Sequence, residues 1–157
     1  MKKKFALSLV AFASAALLAA CGEVSNNNST ATGTEIGDTI KFGFNFEESG
    51  EVAAYGTAEQ RGAQLAVDEI NAAGGVDGKK IEVIDKDNKS ETAEASTVTT
   101  SLVTQSKVNA IIGPATSGAT ASATANAAKA GVPIITPSAT QDDLTNKQDY
   151  LFRATFI

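Results

Sequence analysis

Along the chain, short runs of β-branched and aromatic residues alternate with stretches in which apolar residues return every third or fourth position. TIKFGFNF, from Thr39 to Phe46, reads as a buried strand. Ala63, Ala66, Val67 and Ile70 then fall at helical spacing, and Gly74 and Gly75 supply a C-terminal stop. A second strand is expected from Ile81 to Asp85, followed by a more polar helix over Ser90 to Gln105 that keeps Ala95, Val98, Leu102 and Val103 on one side. Asn109 to Ile112 reads as a third strand, Ala119 to Ala130 as an alanine-rich helix, Val132 to Thr136 as a fourth strand and Tyr150 to Thr155 as a fifth. Strands and helices in alternation imply right-handed crossovers, hence an α/β fold with an open, mainly parallel sheet flanked by helices on both faces.

In such sheets ligands bind beyond the carboxyl ends of the strands, where the strand order reverses. With the flavodoxin-like order 2-1-3-4-5, the loops Glu47 to Tyr55, Gly113 to Gly118 and Pro137 to Gln141 meet at one rim. The third and fourth strands both run into a proline, Pro114 and Pro137, with small hydroxyl residues behind it. Proline cannot donate to the sheet ladder and so closes a strand, and small side chains let a ligand approach main-chain N–H groups. The third helix begins after Ser117 and Gly118, bringing unpaired amides and the positive dipole end to the same place, which makes a carboxylate the natural guest. Ser117 and Ser138 also fit a plainer role as helix cap or turn residues.

Composition narrows the field. The chain has 157 residues, a formal charge of −5, one cysteine and no histidine. The acidic balance argues against nucleic-acid partners, and the missing histidine removes the commonest general base and metal ligand. No cofactor is called for. Lys2, Lys3 and Lys4 precede an uncharged, mostly apolar run from Phe5 to Ala20, the layout of a signal peptide over residues 1–20. The run is short of the roughly 20 apolar residues a bilayer span requires. It ends at LAAC, and the placing of Cys21 resembles the lipobox of bacterial lipoproteins, in which the cysteine is acylated and becomes the mature N-terminus. An ordinary signal peptide with an incidental cysteine is the competing reading. Residues 21–38, rich in Ser, Thr, Asn and Gly, read as a flexible tether between membrane and a folded body at residues 39–157.

From about Ile40 onward, FNFEESGEVAAYGTAEQRGAQLAVDEINAAGGVDGKKIEVIDKDN, IIGPATSGATASA and GVPIITPSAT resemble the N-terminal lobe of the branched-chain amino acid binding proteins of ABC transporters. The resemblance implies two α/β lobes closing over an amino acid, delivery to an ABC permease, and attachment to the outer face of the cytoplasmic membrane through the lipid anchor. It also implies site roles. Ser117 would bind the ligand's main-chain groups, Ser138 and Thr140 would complete that shell, and Tyr55 would form an aromatic wall. Ser138 stands where other members often carry alanine. Members of the family continue well past the position matching Ile157, cross to a second lobe and return, so this chain is expected to hold one incomplete lobe.

Other chemistries fit less well. DKDNKSE, from Asp85, has Lys89 at the fifth position of a calcium loop and no glycine at the sixth. AGGVDGKK lacks the first glycine and the final hydroxyl of a phosphate loop. Neither a G-x-S-x-G elbow nor a dinucleotide fingerprint is present, so a binding protein is expected rather than an enzyme. The alternative within that class is a sensory or adhesive surface lipoprotein built on the same lobe.

Overall fold

The computed structural model describes residues 33–156, so the expected signal segment, Cys21 and most of the expected tether lie outside the described residues. Five strands, β1 (Ile40–Phe46), β2 (Ile81–Asp87), β3 (Ala110–Ile112), β4 (Ile134–Thr136) and β5 (Leu151–Arg153), form one parallel sheet in the order β2-β1-β3-β4-β5. This is the order anticipated from the sequence. Three helices connect them: α1 (Ala53–Ala72), α2 (Thr92–Ser101) and α3 (Ser117–Ala130). The second helix does not run on as expected to Gln105 in α form. It passes into a π-helical turn, Leu102–Ser106, which Lys107 ends in the left-handed region at φ 55°. Strand β4 starts later than predicted because Pro133 has no N–H to give the ladder, while its carbonyl still accepts from Ile111 N at 2.9 Å.

Residues paired across parallel strands point to the same face, so the register divides the sheet into two surfaces. Gly43, Ile111, Ile134 and Leu151 form a row facing α2 and α3, where Leu102, Val108, Ala123 and Ala127 complete a buried core. Gly43 makes room for Leu102: a Cβ there would lie 2.9 Å from the leucine Cδ1. On the other face, Phe44 and Phe46 pack edge to face with ring centroids 5.7 Å apart, beneath Val67 and Ala63 of α1. Here the predicted helix face is only half used. Ala66 is exposed and Ile70 is 38 % exposed, because α1 packs chiefly on β1 and β2 through a narrow stripe that includes Gly56, Ala63 and Val67.

A buried polar link ties β1 to the opposite layer. Asn45 Nδ2 donates to the Ala95 carbonyl and to Thr99 Oγ1, both at 3.0 Å, and Asn45 Oδ1 accepts from Asn88 Nδ2 at 3.0 Å. Fully satisfied networks of this kind fix one arrangement of the layers. Among the described residues no helix is long and apolar enough to cross a membrane.

Candidate functional site

Glu47 directly follows β1 and is fully buried, a placement that is costly for an acid unless donors replace its water. They do. Its carboxylate accepts from Ala115 N at 3.0 Å, Thr116 N at 3.1 Å and Thr116 Oγ1 at 2.8 Å, which fixes the loop after β3. The path of that loop also needs Gly113, whose φ is 93° and whose Cβ, if present, would sit 2.4 Å from the Asn45 carbonyl oxygen. The Gly113–Pro114 peptide bond is cis. The Pro114 carbonyl accepts from Thr136 Oγ1 at 2.7 Å, joining this loop to the end of β4.

Thr116, rather than Ser117, caps α3, its Oγ1 accepting from Ala119 N at 3.4 Å. Ser117 is the first residue of the helix, and its Oγ accepts from Gln141 N at 3.2 Å. Ser138 Oγ donates to the Ala115 carbonyl at 3.0 Å. Each serine therefore links the loop after β3 to the loop after β4, beyond any local turn role. Among the described residues, the amides of Ser117, Gly118, Ser138 and Thr140 have no partner within the chain. Two of them stand at the positive end of the α3 dipole.

Tyr55 is not in a loop, as the sequence suggested, but in the first turn of α1, where it is 66 % exposed. Val52 precedes α1 without a side-chain cap, so no capping residue marked the start of the helix. Its place is set by contact: a Cβ on Gly56 would lie 2.2 Å from the Glu47 carbonyl oxygen, so the first turn rests on the end of β1. Tyr55 and Val52 face Ala115, Thr116, Ser117, Ser138 and Thr140 across one hollow of about 350 Å³. The four residues singled out from the sequence thus share one cavity.

A second hollow of about 410 Å³ lies at the opposite end of the strands, walled by Thr34, Glu35, Lys41, Glu82 and Lys107 among others. Asn109 anchors it, donating to the carbonyls of Thr34 at 3.0 Å and Glu35 at 3.3 Å and accepting from Lys41 N at 2.8 Å. Among the described residues no helix N-terminus opens into it, and its charges are of both signs. The first hollow is therefore the candidate site.

Three acids near the rim are perturbed. Burial pushes the Glu59 carboxyl above its ordinary range; a hydrogen bond with Ser138 opposes this and the nearby Glu47 charge adds to it. Burial, then a hydrogen bond with Asp85 and repulsion from Asp85 and Asp87, pushes Glu48 up to about 7. Burial would also raise Asp87, but hydrogen bonds from the Ser49 hydroxyl and from the amides of Lys89, Glu48 and Ser49 outweigh it and hold that carboxyl low. Among the described residues no cluster of acids could hold a metal ion.

Sequence reasoning missed Glu47, Thr116 and Glu59. An acid abutting a strand as apolar as KFGFNF was the available clue for Glu47, since a charge at that point either meets solvent or meets the amides of a neighbouring loop.

Residues 39–157 match the family model described as periplasmic binding protein. A Leu/Ile/Val-binding protein homolog from Brucella suis is 35 % identical over 127 residues, covering 80 % of this chain and 31 % of its own length. The branched-chain amino acid transporter substrate binding protein LivJ from Streptococcus pneumoniae, solved with isoleucine, superposes with a TM-score of 0.75 at 80 % identity, over 75 % of this chain and 34 % of that one. A solute binding protein of an ABC transporter from Rhodopseudomonas palustris, solved with 3,4-dihydroxybenzoic acid, gives 0.67 at 30 % identity over 76 % and 32 %. The chain spans about a third of the length of these relatives. A parallel sheet of this order, a hollow at its carboxyl rim and a family match across residues 39–157 agree: the chain belongs to the periplasmic binding protein family.

Proposed function

We propose that this chain carries a ligand-binding lobe of the extracellular solute-binding component of an ABC importer, capturing branched-chain or related amino acids by their α-carboxylate and α-ammonium groups. The observation that carries this reading is the convergence of unpartnered amides at Ser117, Ser138 and Thr140 on one hollow at the start of α3, with the free amide of Gly118 next in the helix. The amides and the helix dipole suit a carboxylate. The hydroxyl of Thr140 suits an ammonium, and Tyr55 offers its ring to the ligand's side chain. The ligands of two solved relatives, isoleucine and 3,4-dihydroxybenzoic acid, share a carboxylate, which fits a rim built from peptide N–H groups. The high identity to the isoleucine-bound protein favours the amino acid. An exposed half-site leaves the ligand's charges in water, where contact attraction is only ~1 kcal/mol, so strong capture requires a second lobe to exclude solvent.

In this reading Cys21 is acylated and holds the protein on the outer face of the cytoplasmic membrane, where it meets an ABC permease. Labelled fatty acid should enter the protein and be lost in Cys21→Ala. Isoleucine titrated calorimetrically into the protein joined to its second lobe tests the site itself. Ser117→Ala and Thr140→Ala are each expected to weaken binding by ~1.5–3 kcal/mol, the worth of a hydrogen bond to a charged group. Unaltered affinity in both variants contradicts the assignment. Uptake of labelled isoleucine lost on gene deletion supports import, whereas normal uptake points to a surface-sensing or adhesive role.

A further inference from the structure

Residues 33–38, assigned from the sequence to the tether, are hydrogen-bonded to the lobe. Asn109, just before β3, donates through Nδ2 to the carbonyls of Thr34 at 3.0 Å and Glu35 at 3.3 Å, while its Oδ1 accepts from Lys41 N at 2.8 Å. Lys79 Nζ donates to the Gly37 carbonyl, and Thr39 Oγ1 to Glu82 Oε2 at 3.2 Å. Gly33, at φ 72°, lies against the residue that ends α3: a Cβ on it would be 2.9 Å from the Gly131 carbonyl oxygen. The segment therefore runs from the start of β1, past the start of β3, to the end of α3. All five strands are parallel, so these contacts share the amino-terminal pole of the sheet, and the ligand hollow occupies the carboxyl pole. The seven residues of β1 set the two poles about 20 Å apart.

A side-chain amide can donate and accept at once, and Asn109 uses both functions, holding the segment with one end and β1 with the other. Charge also differs between the poles. Lys41, Lys79, Lys80, Lys107 and Lys129 stand among Glu35, Asp38, Asp77 and Glu82 at the amino-terminal pole. At the carboxyl pole Glu48, Glu51, Asp87, Glu91 and Glu94 outnumber Lys86, Lys89 and Arg153. An anionic lipid surface repels the second pole more than the first. We propose that residues 33–38 form a strap that brings the tether out at the amino-terminal pole, so that the anchored protein stands with this pole toward an anionic membrane and its ligand rim facing away. Cys21 lies twelve positions before Gly33, a stretch that spans at most about 40 Å. The strap keeps the rim ~20 Å farther from the lipid than the point where the tether emerges. The facing of the membrane rests on the acylation of Cys21 proposed above; the exit at this pole does not.

Two measurements test the two parts. Cys21 is the single cysteine, so a nitroxide on it in the unacylated full chain reports where the tether emerges. The amide signals of Glu82, Lys107 and Gly131 should be lost to paramagnetic broadening while those of Ser117, Gly118 and Thr140 persist. Asn109→Asp still accepts from Lys41 N but has no proton for the Thr34 and Glu35 carbonyls, and it should spread the loss over both poles. Rim signals lost first in the parent chain, or an Asn109→Asp chain that behaves like the parent, overturns the strap. The acylated chain is then placed on vesicles of phosphatidylglycerol and phosphatidylcholine containing an energy-accepting lipid, with a fluorophore on the cysteine of Lys129→Cys or of Glu51→Cys. Transfer should be stronger from position 129, and equal transfer or stronger transfer from position 51 overturns the orientation. A chain that takes up no fatty acid and leaves the vesicles bare overturns the membrane reading, while the nitroxide result still decides the strap.

Discussion

Within one register of the sheet, Ile111 and Ile134 are 0 % exposed and Leu151 4 %, because α2, α3 and the segment after β4, through Ala139 and Leu144, complete one buried core with that face. One position further along each strand, the residues face the other way. Phe44 is fully buried under α1 and Ile112 half-buried, but Ile135 is 38 % exposed and Phe152 53 %. Exposure grows strand by strand with distance from α1. The contrast separates what holds this lobe together from what remains open on it: β3 still meets the α1 cluster through Ile112, whereas β4 and β5 leave Ile135 and Phe152 exposed on that side. The rim of β3 and β4 is then held by polar staples, through Glu47, Ser117, Ser138 and Thr136.

The sharpest way to break this comparison is to truncate each face. Leu102→Ala, in the covered core, should cost ~2–5 kcal/mol in urea unfolding, whereas Phe152→Ala on the open face should cost less than ~1 kcal/mol. Equal losses would show that the faces contribute alike. Where α1 does touch the sheet, it touches backbone. Gly56→Ala should therefore destabilise by ~1–3 kcal/mol through overpacking against Glu47, although alanine favours an unconstrained helix by ~1 kcal/mol. A stabilised variant would mean that α1 is free to shift. The smallest effect concerns pH at the rim beside α1. Glu48 binds its proton more tightly in the folded chain, with its value raised from 4.5 to about 7, so its stabilising contribution is complete below 4.5 and disappears as pH rises through about 7. Asp87 acts in the opposite sense: its contribution is present above its ordinary range and is lost as pH falls below it. Glu48→Gln should flatten the stability profile near neutrality, as followed by unfolding midpoints.

The strand order and the meeting of three loops were legible because β-branched runs, prolines and glycines are local signals of strand ends, and topology rules do the rest. The loops holding Ser117 and Ser138 were legible for the same reason, whereas the ligand roles of Ser117, Ser138, Thr140 and Tyr55 came from the family resemblance. The extent of the helices was less legible. Val52 gives no capping signature, and the π-helical turn at Leu102–Ser106 has the same apolar spacing as an α-helix. The helical period of α1 could not reveal that Ala66 and Ile70 turn away from the sheet, since spacing shows an apolar face but not how much of it finds a partner. Glu47 escaped because a charged residue after a strand ordinarily meets solvent, and only the folded neighbourhood of Ala115 and Thr116 makes its burial favourable.

Amide chemical-shift mapping during titration with isoleucine is the most direct test of the proposal that this rim binds a carboxylate. Movement centred on Ser117, Gly118, Ser138 and Thr140, with Lys41, Glu82 and Asn109 at the far end of the strands unmoved, is the predicted result. Movement centred on that far end instead, with the α3 amides silent, would contradict it.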